Sequence, residues 1–163
     1  MNVILVGSQK NDIGKTIISL KMALELASSG KKVLLMDLSS GKIKISEYLK
    51  VNEDIIYDIA DVFNKTCPLE QGVMEINENL SLLPCPRVDG KINDINKELF
   101  VNLLKGAEAY DYVIIDADKL TSSYIDFREI QNVITINNND FSCVKEINSD
   151  KTIATKASNF IVV

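Results

Sequence analysis

The chain has 163 residues, a formal net charge of −5 and a sequence pI near 4.8, with 46% hydrophobic and 25% charged residues. That is the make-up of one globular domain spanning residues 1–163, and its acidic balance argues against a nucleic-acid or anionic-membrane surface. Histidine is absent, which removes Ser–His and Cys–His nucleophile chemistry and most zinc sites.

Residues 3 to 6 (Val-Ile-Leu-Val) form an apolar run that predicts a buried parallel strand. A polar loop, Gly7 to Ile13, follows, and Gly14-Lys15-Thr16 opens an amphipathic helix. Strand, loop, Gly-Lys-Thr and helix is the order a phosphate-binding loop needs. Backbone N–H groups of such a loop and the helix N-terminus turn positive dipole toward an anion. Lys15 would reach the β/γ-phosphates and the Thr16 hydroxyl would ligate Mg²⁺. The plainer alternative is an ordinary strand–turn–helix connection, with Gly14 there for the turn and Lys15 in solvent.

The helix continues with Ile17, Ile18, Leu20, Met22, Ala23, Leu24, Leu26 and Ala27, and Ser28-Ser29-Gly30 ends it, with Gly30 at the left-handed cap. Val33 to Met36 is a second apolar strand, and Asp37 stands at its carboxyl end, the edge where open α/β sheets bind ligands. The bland reading of Asp37 is a cap for the next turn.

Residues 42–50 suit a short strand or weak helix. Asn52 is a candidate cap for a helix carrying Ile55, Ile59, Val62 and Phe63. Pro68 opens a helical turn to about Val73, and residues 80–84 predict a strand closed by Pro84 and Pro86. Ile95, Leu99, Phe100, Leu103 and Leu104 predict a helix ending near Gly106. Tyr112 to Ile115 followed by Asp116 reads as a strand with an acid at its exit, the pattern that holds a water on Mg²⁺. A short helix over 121–130, a strand over 133–136, a helix over about 142–157 and a strand over 159–163 complete the chain. Cys67, Cys85 and Cys143 are far apart with no CxxC, which fits reduced thiols in a cytoplasmic protein. No run is long enough to span a membrane, and no targeting peptide is expected.

The loop also reads Lys10-Asn11-Asp12-Ile13-Gly14-Lys15-Thr16. It resembles the deviant Walker A loop, Lys-Gly-Gly-x-Gly-Lys-Thr, of the MinD/ParA family of P-loop ATPases. Residues 57–84 and the stretch Asn137 to Val144 resemble the same regions of that family in order and spacing. The resemblance implies a three-layer P-loop NTPase-like α/β fold with a mostly parallel central sheet flanked by helices. It implies ATP and Mg²⁺ as cofactors, with nucleotide held by Lys10, Asn11, Asp12, Ile13, Gly14, Lys15, Thr16 and Ile17. Thr16, Asp37 and Asp116 would hold the metal. Lys10 and Lys15 would serve turnover. A homodimer, or a heterodimer with a MinD-like ATPase, is implied as the working form. Nucleic acid and a direct membrane anchor are not expected.

Several residues depart from the family pattern. Asn11 and Asp12 replace two glycines. A carboxylate at position 12 about 6 Å from a phosphate would cost about 3 kcal/mol at an effective dielectric near 20. The family's Asp-x-Asp after the second strand reads Asp37-Leu38-Ser39 here. Ser39 would stand where a carboxylate is taken to orient the attacking water, and a serine cannot act as that base. The family continues beyond the region matched, with helices that help hold the base or bind partners. Two readings result: a nucleotide-driven switch with slow turnover in division-site placement or partitioning, or a degenerate relative that works through protein partners. A small-molecule kinase is disfavoured, because Arg87 and Arg128 are the only arginines and do not cluster.

Overall fold

The computed structural model describes residues 1–8, 14–39, 43–86, 95–118 and 124–136, and the backbone of 159–162. Its strands are β1 (Asn2–Gly7), β2 (Val33–Leu38), β3 (Met74–Asn77), β4 (Leu80–Leu83), β5 (Tyr112–Ala117), β6 (Asn132–Thr135) and β7 (Asn159–Val162). The helices are α1 (Lys15–Ser28), α2 (Ile45–Tyr48), α3 (Ile59–Phe63), α4 (Leu69–Gly72) and α5 (Lys97–Gly106). The strands make one sheet in the order β3-β4-β2-β5-β1-β6-β7. Every pairing is parallel except β3 with β4.

The continuous apolar strands are explained by layers on both faces. In β1, Val3 and Leu5 face one core while Ile4 and Val6 face the other. In β2, Leu34, Met36 and Leu38 join the first core, and Val33 and Leu35 the second. Phe63 of α3 and Phe100, Leu103 and Leu104 of α5 cover the first face. Ala23 and Ala27 of α1 and Ile45 of α2 cover the second. This is the three-layer α/β arrangement expected from the sequence, and it sets α1 against the face that carries Asp37 and Asp116.

Helix ends are fixed by local chemistry. Gly30, at φ 78°, closes α1: its N–H donates to Ala27 O (2.9 Å), and the Lys31 N–H donates to Leu26 O (3.2 Å). The same pattern ends α2 at Lys50 and α3 at Lys65, both at φ 58°, although neither is glycine. Asp58 caps α3, accepting from the Ala60 N–H (2.9 Å), while Asp61 accepts from the Asp58 N–H (3.0 Å).

Three expectations are corrected. Asn52 starts only a single 3-10 turn, Asn52–Asp54. The helix expected to run on through Ile55 begins instead at Ile59, where Asp58 offers a better cap. β3 was not foreseen, because its half-exposed Met-Glu-Ile-Asn pattern is short and polar at alternate positions. Of the helix expected over 121–130, residues 124–130 hold only a 3-10 turn, Phe127–Glu129, begun by Asp126 accepting from the Arg128 N–H (3.1 Å). The helix expected over 142–157, and Cys143, lie outside the described residues. No helix among the described residues is long and apolar enough to cross a membrane.

Candidate nucleotide and metal site

The site lies at the carboxyl edge of the sheet. β1 delivers the chain to Gly7 and Ser8, and Gly14 returns it to α1. Gly14 has φ 86° and ψ 11°, a left-handed conformation that an L side chain adopts at a cost. The glycine of the Gly-Lys-Thr run is therefore required by the backbone that starts the helix.

Lys15 is only 6% exposed although it stands in the first turn of a helix. Its Nζ donates to Ser8 Oγ at 3.3 Å, and Ser8 is fully buried. The ammonium is thus folded back over the end of β1, not extended into solvent, which removes the plainer reading of Lys15. Thr16 is half-buried beside it, and Ile17 is exposed on the same first turn. Lys10, Asn11, Asp12 and Ile13 lie outside the described residues.

Parallel register sets Asp37 of β2 beside Asp116 of β5, and Val6 of β1 beside Asp116 on the other side. Adjacent strands are about 4.8 Å apart, so two buried carboxyl groups share one small space. Their hydrogen bonding differs. Asp37 Oδ1 accepts from Ser39 N (3.0 Å) and Ser39 Oγ (2.6 Å), and Oδ2 accepts from Ile45 N (3.0 Å). Lys44 Nζ donates to Ser39 O at 2.9 Å. Asp37 therefore organises the turn from β2 to α2, and Ser39 commits its hydroxyl to that turn.

Asp116 Oδ1 accepts from Ser19 Oγ at 3.3 Å, while Oδ2 is buried with no hydrogen-bond partner among the described residues. Burial, then the neighbouring Asp37 charge, pushes the Asp116 carboxyl up to about 6. Hydrogen bonds from Thr16 and Ser19 and the Lys15 charge oppose that rise. Burial also raises Asp37, against the lowering bonds from Ser39 and Ile45. Nearby Cys85 is pushed up to about 12 by burial and by the Asp37 charge, so it stays an inert thiol.

These residues fit a divalent cation beside a phosphate chain. An unpartnered buried carboxylate oxygen is costly alone, and a hard cation takes oxygen ligands of this kind. Lys15, Thr16 and the α1 N-terminus supply the donors that phosphate needs. Among the described residues the structure brings together Gly14, Lys15, Thr16, Asp37 and Asp116, with Ser39 turned toward Asp37. Ser8, Ser19 and Lys44 were not foreseen. Nothing in their sequence spacing sets them apart, because their partners lie across the sheet or across a turn. A separate cavity of about 490 Å³, lined by Phe63, Cys67, Leu69 and Leu103 among others, sits between α3, α4 and α5 on the opposite face of the sheet. It plays no part in this site.

A sheet edge that presents a buried lysine, a hydroxyl and a carboxylate to the start of a helix defines a P-loop protein. A family model described as an AAA domain matches residues 1–122. The septum site-determining protein MinD of Helicobacter pylori is 33% identical over 118 residues, 71% of this chain and 44% of that protein. The chain belongs to the MinD/ParA family of P-loop ATPases. It spans less than half the length of that curated relative. Among solved structures, the Aquifex aeolicus MinC:MinD cell division complex matches with TM-score 0.74 and 26% identity, over 99% of this chain and 67% of that one. The Pyrococcus horikoshii MinD in complex with Mg-ADP has TM-score 0.80 and 21% identity, over 99% of this chain and 69% of that one. At that identity it speaks for the fold alone.

Proposed function

We propose that the chain binds ATP with Mg²⁺ at the carboxyl edge of β1, β2 and β5, and turns it over slowly at most. The observation that carries this reading is a buried Lys15 at the start of α1 together with a buried Asp116 whose Oδ2 has no hydrogen-bond partner among the described residues. Lys15 and the α1 N-terminus hold the phosphate chain, assisted by Lys10 and the backbone of residues 11–13. Thr16, Asp116 and Asp37 hold the cation, which when bound supplies charge neutralisation to the phosphates.

Slow turnover follows from Ser39. Its hydroxyl donates to Asp37 at 2.6 Å, so it neither carries a carboxylate's charge nor offers its proton to an attacking water. The working form is a homodimer, or a heterodimer with a full-length MinD-like ATPase, in the cytoplasm. The process is division-site placement, as the names of its relatives suggest, or partitioning. The same Ser39 geometry favours a second reading, a binding module that acts through its partners and never hydrolyses.

Phosphate release from ATP tests the choice. Slow release that Lys15→Ala abolishes supports the switch. No release from a protein that retains ATP leaves the binding module.

A further inference from the structure

We infer that Ser19 is the positioning residue of the cation site: its hydroxyl pins one oxygen of Asp116 so that the other is left for the metal. The inference rests on the nucleotide reading above and deepens it. Ser19 lies one helical turn beyond Lys15 and Thr16 on α1, fully buried. Its Oγ donates to Asp116 Oδ1 at 3.3 Å across the gap between helix and sheet. Thr16 hydrogen-bonds the same carboxyl group. Asp116 Oδ2, equally buried, has no hydrogen-bond partner among the described residues.

The contrast with Asp37 gives the argument its direction. Both acids sit at matched register positions on adjacent strands. Asp37 spends both oxygens on the backbone of its own turn and on Ser39. A carboxylate so engaged is fixed by the chain that follows it. Among the described residues Asp116 is tethered from α1 alone, by Ser19 and by Thr16, and of these two Thr16 is itself assigned to the cation. Without Ser19, and with the Thr16 hydroxyl drawn to the cation, the carboxyl group can rotate about its last side-chain bond, and either oxygen can turn toward Lys15. With Ser19 in place, one oxygen is spent and the other keeps its direction. Outer partners of this kind hold a ligand in the orientation the metal requires, and their loss commonly costs 10- to 100-fold in metal affinity.

The test is ADP titration of the full chain with saturating Mg²⁺ and again with chelator, for wild type, Ser19→Ala and Ser19→Thr. The ratio of the two affinities reports the metal alone, without turnover. Ser19→Ala is expected to bind ADP in chelator as the wild type does, and to lose roughly tenfold of the gain that Mg²⁺ brings. Ser19→Thr, which keeps the hydroxyl, is expected to recover most of that gain. Thermal unfolding of each variant checks that the fold is intact. An unchanged Mg²⁺ gain in Ser19→Ala overturns the inference and leaves the nucleotide reading standing. A parallel fall in both affinities overturns it too, since that is what a merely structural serine would give. No ADP binding by the wild type in either condition overturns the nucleotide reading, and the role of Ser19 falls with it.

Discussion

Replacing Asp116 by asparagine separates the electrostatic cost of the site from its packing. A carboxyl that titrates near 6 when folded and near 3.8 when unfolded holds its proton about 3 kcal/mol more tightly in the folded chain. Burial is the largest cause of that difference and the Asp37 charge the next. Because the folded value is raised, the contribution is fully present below about pH 4. It is lost as pH rises through about 6, where the folded state must give up a proton that the unfolded state has already released. Asparagine has the same shape and no such proton. Asp37 titrates in both proteins and adds its slope to both. The stability of Asp116→Asn relative to wild type should therefore improve by about 3 kcal/mol between pH 3 and pH 7. Urea unfolding in chelator at a series of pH values measures this directly. Curves that stay parallel across that range would show that Asp116 is solvated, and the reasoning about its orphaned oxygen would be refuted.

The backbone offers further tests. Gly14→Ala forces a methyl-bearing residue into φ 86° and should cost about 1–2 kcal/mol in thermal or urea unfolding, although nothing lies within 4 Å of the added Cβ. Lys50→Gly and Lys65→Gly relieve left-handed helix ends at φ 58°; each should stabilise the fold by about 0.5–1 kcal/mol, seen as a rise in Tm. Phe100→Ala opens a hole in the core under α5, where the ring is fully buried; a loss of about 3–5 kcal/mol in urea unfolding is expected.

Much of this fold was legible because continuous apolar strands such as residues 33–36 have few alternatives to a covered parallel sheet. Asp37 and Asp116 were legible as strand-end acids for the same reason. Their different duties were not, since these depend on Ser39 and Ile45 in one case and on Ser19 in the other. Ser19 sits within an apolar helix and looks from sequence like a small filler. The break between Asn52 and α3 was hidden because Ile55 and Ile59 keep helical spacing, while Asp58 caps three residues later. Helix ends at Lys50 and Lys65 carry no glycine to announce them. β3 lacks an apolar run because it is an edge strand with alternate residues exposed.

Calorimetric titration of the chain with ATP plus Mg²⁺, beside Lys15→Ala, tests the central claim most directly. Binding in the micromolar range that the substitution abolishes is the predicted result. No heat at millimolar nucleotide, from a protein shown to be folded, would contradict it.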